Sequence, residues 1–265
     1  MNSVFWLQLG LGFIAGSFAV SLTTVAAEKF GSNVGGLIGG IPSTSVVALL
    51  FIGIVQSPEY VIQATNVMPL VMGFNGLFLV IFVILSRYGF LAGLGGAFAM
   101  WFGLSYTTIS LGFRHFGIGM ALFFLSFIFS YFVMEKKLHL PAVAGVRVRF
   151  TPLQIAARSL FSGLVIAVVI FLSKVSGPLI GGVFAVFPAV FTSTIVISSL
   201  SRGVAFARAL TKPLLVSAMI NVIVYIIAVR YLYPELGLVL GTIGALAASS
   251  LSVLGSYSFI KKKMA

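Results

Sequence analysis

The chain alternates long apolar runs with short polar breaks. A membrane span needs about 20 mostly apolar residues. Runs of that kind fall at roughly 4–26, 34–55, 67–86, 88–112, 116–134, 153–173, 178–200, 213–232 and 235–258. The pattern predicts nine transmembrane helices. Two starts carry helix-initiating chemistry: Thr151-Pro152, a capping hydroxyl followed by Pro, and Lys212-Pro213. Arg114-His115 is the short break between spans four and five. The first run has no basic segment before it, so it reads as a retained span and not as a cleaved signal.

Inside span two lies GGLIGGIPSTS, Gly35 to Ser45. Its first eight residues recur as GGVFAVFP, Gly181 to Pro188, at an offset of 146 residues. The same offset, without gaps, pairs Leu7-Gln8 with Leu153-Gln154, Gly31 with Gly177, and Thr65 with Thr211. It also pairs Asn75 with Asn221, Leu94-Gly95 with Leu240-Gly241, and Ser110 with Ser256. Overall identity is low, and the matches gather on Gly, Pro and mid-span Asn. The expected division is a four-helix repeat over 1–113, a linking helix over 114–134, a basic linker over 135–152, and a second four-helix repeat over 153–265. The single linking span inverts the second copy. An inverted pair of repeats is a recurrent design of secondary transporters. The count of four plus one plus four also resembles the topology of the fused two-domain fluoride channels, in topology alone.

Composition fixes the class. Hydrophobic residues make up 60% of the 265, and charged residues only 8%, more apolar surface than a soluble domain can hide. The net charge of +12 does not point to nucleic acid. With the N-terminus outside and the C-terminus inside, thirteen of the 16 Lys and Arg fall on the cytoplasmic side, as the positive-inside rule requires. An integral protein of a prokaryotic cytoplasmic membrane is the expected setting. Cysteine is absent, so disulfides and thiolate metal sites are excluded.

The two G-G-x5-P segments are the candidate site. A mid-helix Pro removes a backbone hydrogen bond and collides with the carbonyl four residues back. Unpaired backbone is tolerated in a membrane only against protein or a polar cavity. Spans two and seven are therefore expected to break near the midplane. Pro42 and Pro188 would each start a half-helix, whose positive end suits an anionic group. The expected substrate-binding residues are Gly39, Gly40, Pro42, Ser43, Thr44, Ser45, Pro188, Thr192, Ser193 and Thr194, the hydroxyls bonding free amides at the helix starts. Asn75 and Asn221, amides near the centres of spans three and eight, join them as ligand contacts or as interhelical hydrogen bonds; both roles stay open. Glu28, Lys29 and Lys174 precede the broken spans as rim residues. Close helix packing through small residues is the competing account of the glycines.

Enzymatic chemistry needs positioned acids, bases or nucleophiles. The chain has no Asp or Cys, and neither H-E-x-x-H nor G-x-S-x-G; His115 and His139 fall in loops. No enzyme, cofactor or metal is expected. The expected function is a transporter of a small, anionic solute, with an ion channel or a lipid flippase or scramblase as the alternative. Membrane lipids and a small-molecule or ionic substrate are the expected partners, and a homodimer stays open.

Overall fold

The computed structural model describes residues 1–29, 41–140 and 150–263. Ten α-helices are found among them: α1 (Ser3–Lys29), α2 (Ser43–Val55), α3 (Pro58–Thr65), α4 (Met68–Leu85), α5 (Phe90–Ser110), α6 (Phe116–Phe132), α7 (Pro152–Ser176), α8 (Pro178–Ala185), α9 (Ala189–Arg202) and α10 (Val204–Lys263). Seven spans are long and apolar enough to cross a membrane, with α8–α9 counted as one. No strand occurs among the described residues. This is an all-α membrane protein.

Burial separates the helices into a centre and a shell. In the most apolar window, 78% of the α4 span and 67% of the α8–α9 span are buried, against 22% for α1 and α5 and 17% for α6. The shell faces outward with apolar residues. Leu7, Leu11, Ile14, Phe18 and Leu22 recur every three or four residues along α1 and are all exposed, the stripe expected against lipid.

The helices pair in defined directions. Along α1 and α7, Gly12 meets Ile170, Gly16 meets Ile166, and Ser17 meets Gly163. The Ser21 and Ser159 hydroxyls lie 2.6 Å apart. Numbers rise on one helix as they fall on the other, so the pair is antiparallel. Positions 17 and 163, which are 146 apart, touch each other at this crossing. Helices α4 and α5 form a hairpin about Gly89, with Phe78 and Phe98 5.2 Å apart between ring centres. Helix α6 runs parallel to α4: Leu70, Gly73 and Gly76 meet Gly119, Ser126 and Ser130 in turn. Small residues on both sides let these backbones approach.

Several boundaries differ from the sequence reading. Residues 56–66, read as a loop, hold α3; Ser57 caps it, accepting from Tyr60 N at 3.2 Å, and Val61, Ala64 and Thr65 are buried. Lys212-Pro213 does not open a span, because α10 begins at Val204 after Gly203 and Pro213 lies inside the helix. The 60 residues of α10 are two legs, 204–236 and 238–263, joined at Gly237, whose φ of 69° favours glycine. The second leg folds back on the first: Tyr233 and Thr242 share a hydrogen bond of 2.8 Å, and Ser252 reaches Asn221. Thr151-Pro152 does start α7, and the Thr151 and Gln154 side chains form a reciprocal capping box.

Candidate functional site

The break in span seven falls at Val186–Pro188, between α8 and α9. In the segment predicted as span two, α2 starts directly after Pro42. Its upstream half, including the predicted site residues Gly39 and Gly40, lies outside the described residues.

Pro42 and Pro188 make the same turn. Ser43 N donates to Ile41 O at 2.8 Å, and Ala189 N donates to Phe187 O at 2.7 Å. The proline φ/ψ pairs are −76°/54° and −73°/43°, so both are inverse γ-turns. Each helix then closes its first bond, Val46 N to Pro42 O and Thr192 N to Pro188 O, both at 2.9 Å. Both of these backbone bonds at Pro42 have their counterparts 146 residues later.

The first amides of a helix have no intrahelical acceptor. Here these include Thr44 and Ser45 in α2, and Val190 and Phe191 in α9. None of the four has an acceptor among the described residues. The hydroxyls do not cap them, contrary to expectation: neither proline start has a side-chain cap. Ser45 Oγ instead donates across to Ala185 O at 3.3 Å. Ser193 Oγ donates to Val190 O of its own helix.

The carbonyls around the second break are satisfied throughout. Phe184 O accepts from Phe187 N, Phe187 O from Ala189 N, and Pro188 O from Thr192 N. Ala185 O accepts from Ser45, and Val186 O accepts from Asn75 Nδ2 at 2.8 Å. The break therefore keeps donors in surplus and acceptors engaged.

A cavity of about 50 Å³ lies between the two starts. Its lining pairs across the 146-residue offset: Ile41 with Phe187, Pro42 with Pro188, Thr44 with Val190, Ser45 with Phe191, and Met72 with Ala218. Asn75, Val186 and Val222 complete the wall. All four residues whose amides lack acceptors are among these. Among the described residues the wall carries no charged side chain; its polar side chains are those of Thr44, Ser45 and Asn75.

Asn75 is 2% exposed. Its Oδ1 accepts from Trp101 Nε1 at 2.8 Å while its Nδ2 holds Val186 O. The interhelical bond weighed for Asn75 is thus present, and it braces the break. Trp101 packs edge-on against Phe187 at 5.3 Å, and Phe98 stacks on the same ring at 5.8 Å. Asn221 is fully buried and tied to the second leg of α10: its Oδ1 accepts from Ser252 at 2.9 Å, and its backbone carbonyl from Ser249 at 3.0 Å.

Of the predicted residues, Pro42, Thr44, Ser45, Asn75 and Pro188 line the cavity. Ser43, Thr192, Ser193, Thr194 and Asn221 are buried beside it without lining it. The rim residues sit apart. Glu28 accepts from Phe150 N beside the start of α7, and the Lys29 side chain lies outside the described residues. Lys174 donates to Gln56 Oε1 at 3.2 Å. Next to it the Tyr60 hydroxyl donates to Ser173 O, and burial holds its pKa above the ordinary value. Ile41, Met72, Trp101, Val186 and Phe187 were not legible as site residues. The repeat offset alone could have supplied Ile41 and Phe187, which flank the prolines.

A scan against protein-family models finds no match, and searches of curated proteins and of solved structures find none.

Proposed function

We propose that the protein is a membrane transporter that moves a small anionic solute by alternating access, at a central site between two inverted repeats. The observation that carries the reading is the imbalance at the cavity. Four residues whose helix-start amides have no acceptor among the described residues line it, while the five carbonyls from Phe184 to Pro188 all have donors. A solute rich in acceptors complements that wall, and two helix N-termini add positive potential. The cavity size favours a small solute: about 50 Å³ holds roughly four water positions.

The matched γ-turns, the paired lining and the antiparallel contact of positions 17 and 163 support two repeats of opposite orientation. On that architecture nine spans arise from 1–113, 114–134 and 153–265, with spans two and seven broken. The repeats rock about the cavity and expose it to one side at a time. No covalent step and no cofactor belongs to this reading.

The purified protein in liposomes tests it. Thermal stabilisation is measured across a panel of small anions and neutral metabolites, because a ligand selective for the folded state raises its stability. An anion that stabilises should then show saturable uptake, abolished or weakened by Thr44→Val with Ser45→Val. Stabilisation by neutral solutes alone overturns the anionic substrate. Unsaturable, far faster flux overturns alternating access in favour of a channel. Movement of labelled lipid without solute flux assigns a scramblase.

A further inference from the structure

Arg158 is a cation set within the helix bundle away from the cavity wall. It lies in α7, and its Nη1 donates to Thr194 Oγ1 of α9 at 2.8 Å. Its guanidinium carbon stands 5.5 Å from the centre of the Phe150 ring. Its Nε is buried and has no partner, and no carboxylate among the described residues pairs with it. A guanidinium held in a bundle without a counter-ion is costly, and such residues mark ion pathways.

The surroundings extend this charge into a track. Helices α7 and α9 are antiparallel here, since Gln154 bonds Ser201 and Arg158 bonds Thr194. One turn further, the same register sets Ser162 level with Val190, at the cavity wall. Ser162 and Ser198 are both fully buried, and neither hydroxyl has a partner. Ser162 shares a helix face with Arg158, and Ser198 shares one with Thr194. The Ser162 and Ser198 hydroxyls are two of nine buried hydroxyls without a partner among the described residues, and water or an ion is one account of such a group.

We propose that the α7/α9 seam is the anion's path between the cavity and the face bearing the start of α7, with Arg158 selecting for negative charge. The inference rests on the anionic reading of the cavity. Ser198 lies about 6 Å from Thr194 along the helix. Even at water's dielectric constant, reversing a solute's charge about 6 Å from a cation changes its local concentration about tenfold.

The chain has no cysteine, so single thiols can be read without background. Ser198→Cys in the seam and Thr44→Cys in the cavity are made separately in the full chain in liposomes. Each is treated with 2-sulfonatoethyl methanethiosulfonate and with its trimethylammonium analogue, and rates are normalised to those of a small free thiol. Ser198→Cys should react about tenfold faster with the anionic reagent. Arg158→Gln, which keeps a donor for Thr194, should bring the ratio near one, and Arg158→Lys should preserve it. An unchanged ratio in Arg158→Gln overturns the proposal. So does a Ser198→Cys inert to both reagents while Thr44→Cys reacts, a result that leaves the cavity reading standing. A Thr44→Cys inert to the anionic reagent while Ser198→Cys keeps its preference overturns the cavity reading, and the seam as a path to it.

Discussion

Replacing Asn75 by Leu should unbrace the second break. The change removes two bonds of 2.8 Å and leaves Trp101 Nε1 and Val186 O without partners. Trp101 is fully buried, so water does not readily replace its lost acceptor, whereas Val186 lines the cavity, where water softens the loss of its donor. A buried polar group left unsatisfied costs about 1–3 kcal/mol, and hydrogen bonds measured in a membrane bundle average only about 0.6 kcal/mol, so each orphan is placed at about 1–2 kcal/mol. The two orphans together should cost about 2–4 kcal/mol. At about 2 °C per kcal/mol for a chain of this size, Tm should fall by about 4–8 °C. Melting followed by far-ultraviolet circular dichroism in detergent reads this without relying on Trp101. The decisive measurement is the cycle with Trp101→Phe. In the double variant no indole N–H remains to be stranded, so it should be about 1–2 kcal/mol less damaged than the sum of the singles. Additivity within about 0.3 kcal/mol would show that the Asn75–Trp101 bond does not hold the break.

Other perturbations test other parts of the structure. A Cβ on Gly182 would lie 2.3 Å from Ala64 O, a backbone atom that cannot swing aside, so Gly182→Ala should lose about 1–3 kcal/mol in an unfolding titration. Gly103→Ala, with open space around it in α5, should gain about 0.5–1 kcal/mol; equal effects would refute the packing of α8 on α3. Glu135→Gln strands Lys212, which is 4% exposed and ion-paired to it. Because Glu135 is one-third exposed, the expected loss is about 1–3 kcal/mol, below that of a fully buried pair, and Lys212→Met added to it should recover most of the loss. Thiols placed at Lys136 and Lys174 should react with an impermeant reagent from opposite sides of intact vesicles; labelling from one side refutes the inverted repeat.

Much of the site was legible because its chemistry is local. Proline is disfavoured in a helix interior and suited to its start, so Pro42 and Pro188 announced both helix starts from the chain alone, although Pro213 shows that a proline can also be carried inside a helix. Asn75 and Asn221 were legible because an amide at mid-span must find a partner. The partner itself was not: Trp101 and Val186 reach Asn75 only through the pairing of α4 with α5 and α8. The hydroxyl runs misled for a geometric reason. Successive helix positions turn by about 100°, so three neighbours cannot all face one cavity. Thr44 and Ser45 face it, Ser43 does not, and Thr192 to Thr194 begin a turn too late. Helix α3 was hidden by its length, since eight residues with Pro58 and Glu59 look like a loop to any search for spans. Arg158 and Lys212 read as surface charge because hydropathy records what a residue is and not where its helix turns it.

The γ-turn at Pro188 has a mechanical consequence. Pro188 has no N–H to give, and in a continuous helix its ring would collide with the Phe184 carbonyl. Closing the gap into a continuous helix would therefore cost about 3 kcal/mol. Both ends of the same span differ: Gly177 and Gly203 stand at φ of 90° and 86°, conformations glycine enters and leaves without strain. Compliance in this span sits at its ends and stiffness at its middle, the reverse of a rod that bends at a weak centre. On the alternating-access reading proposed above, α8 and α9 swing as one angled lever about those two glycines, carrying the Val190 and Phe191 amides with them.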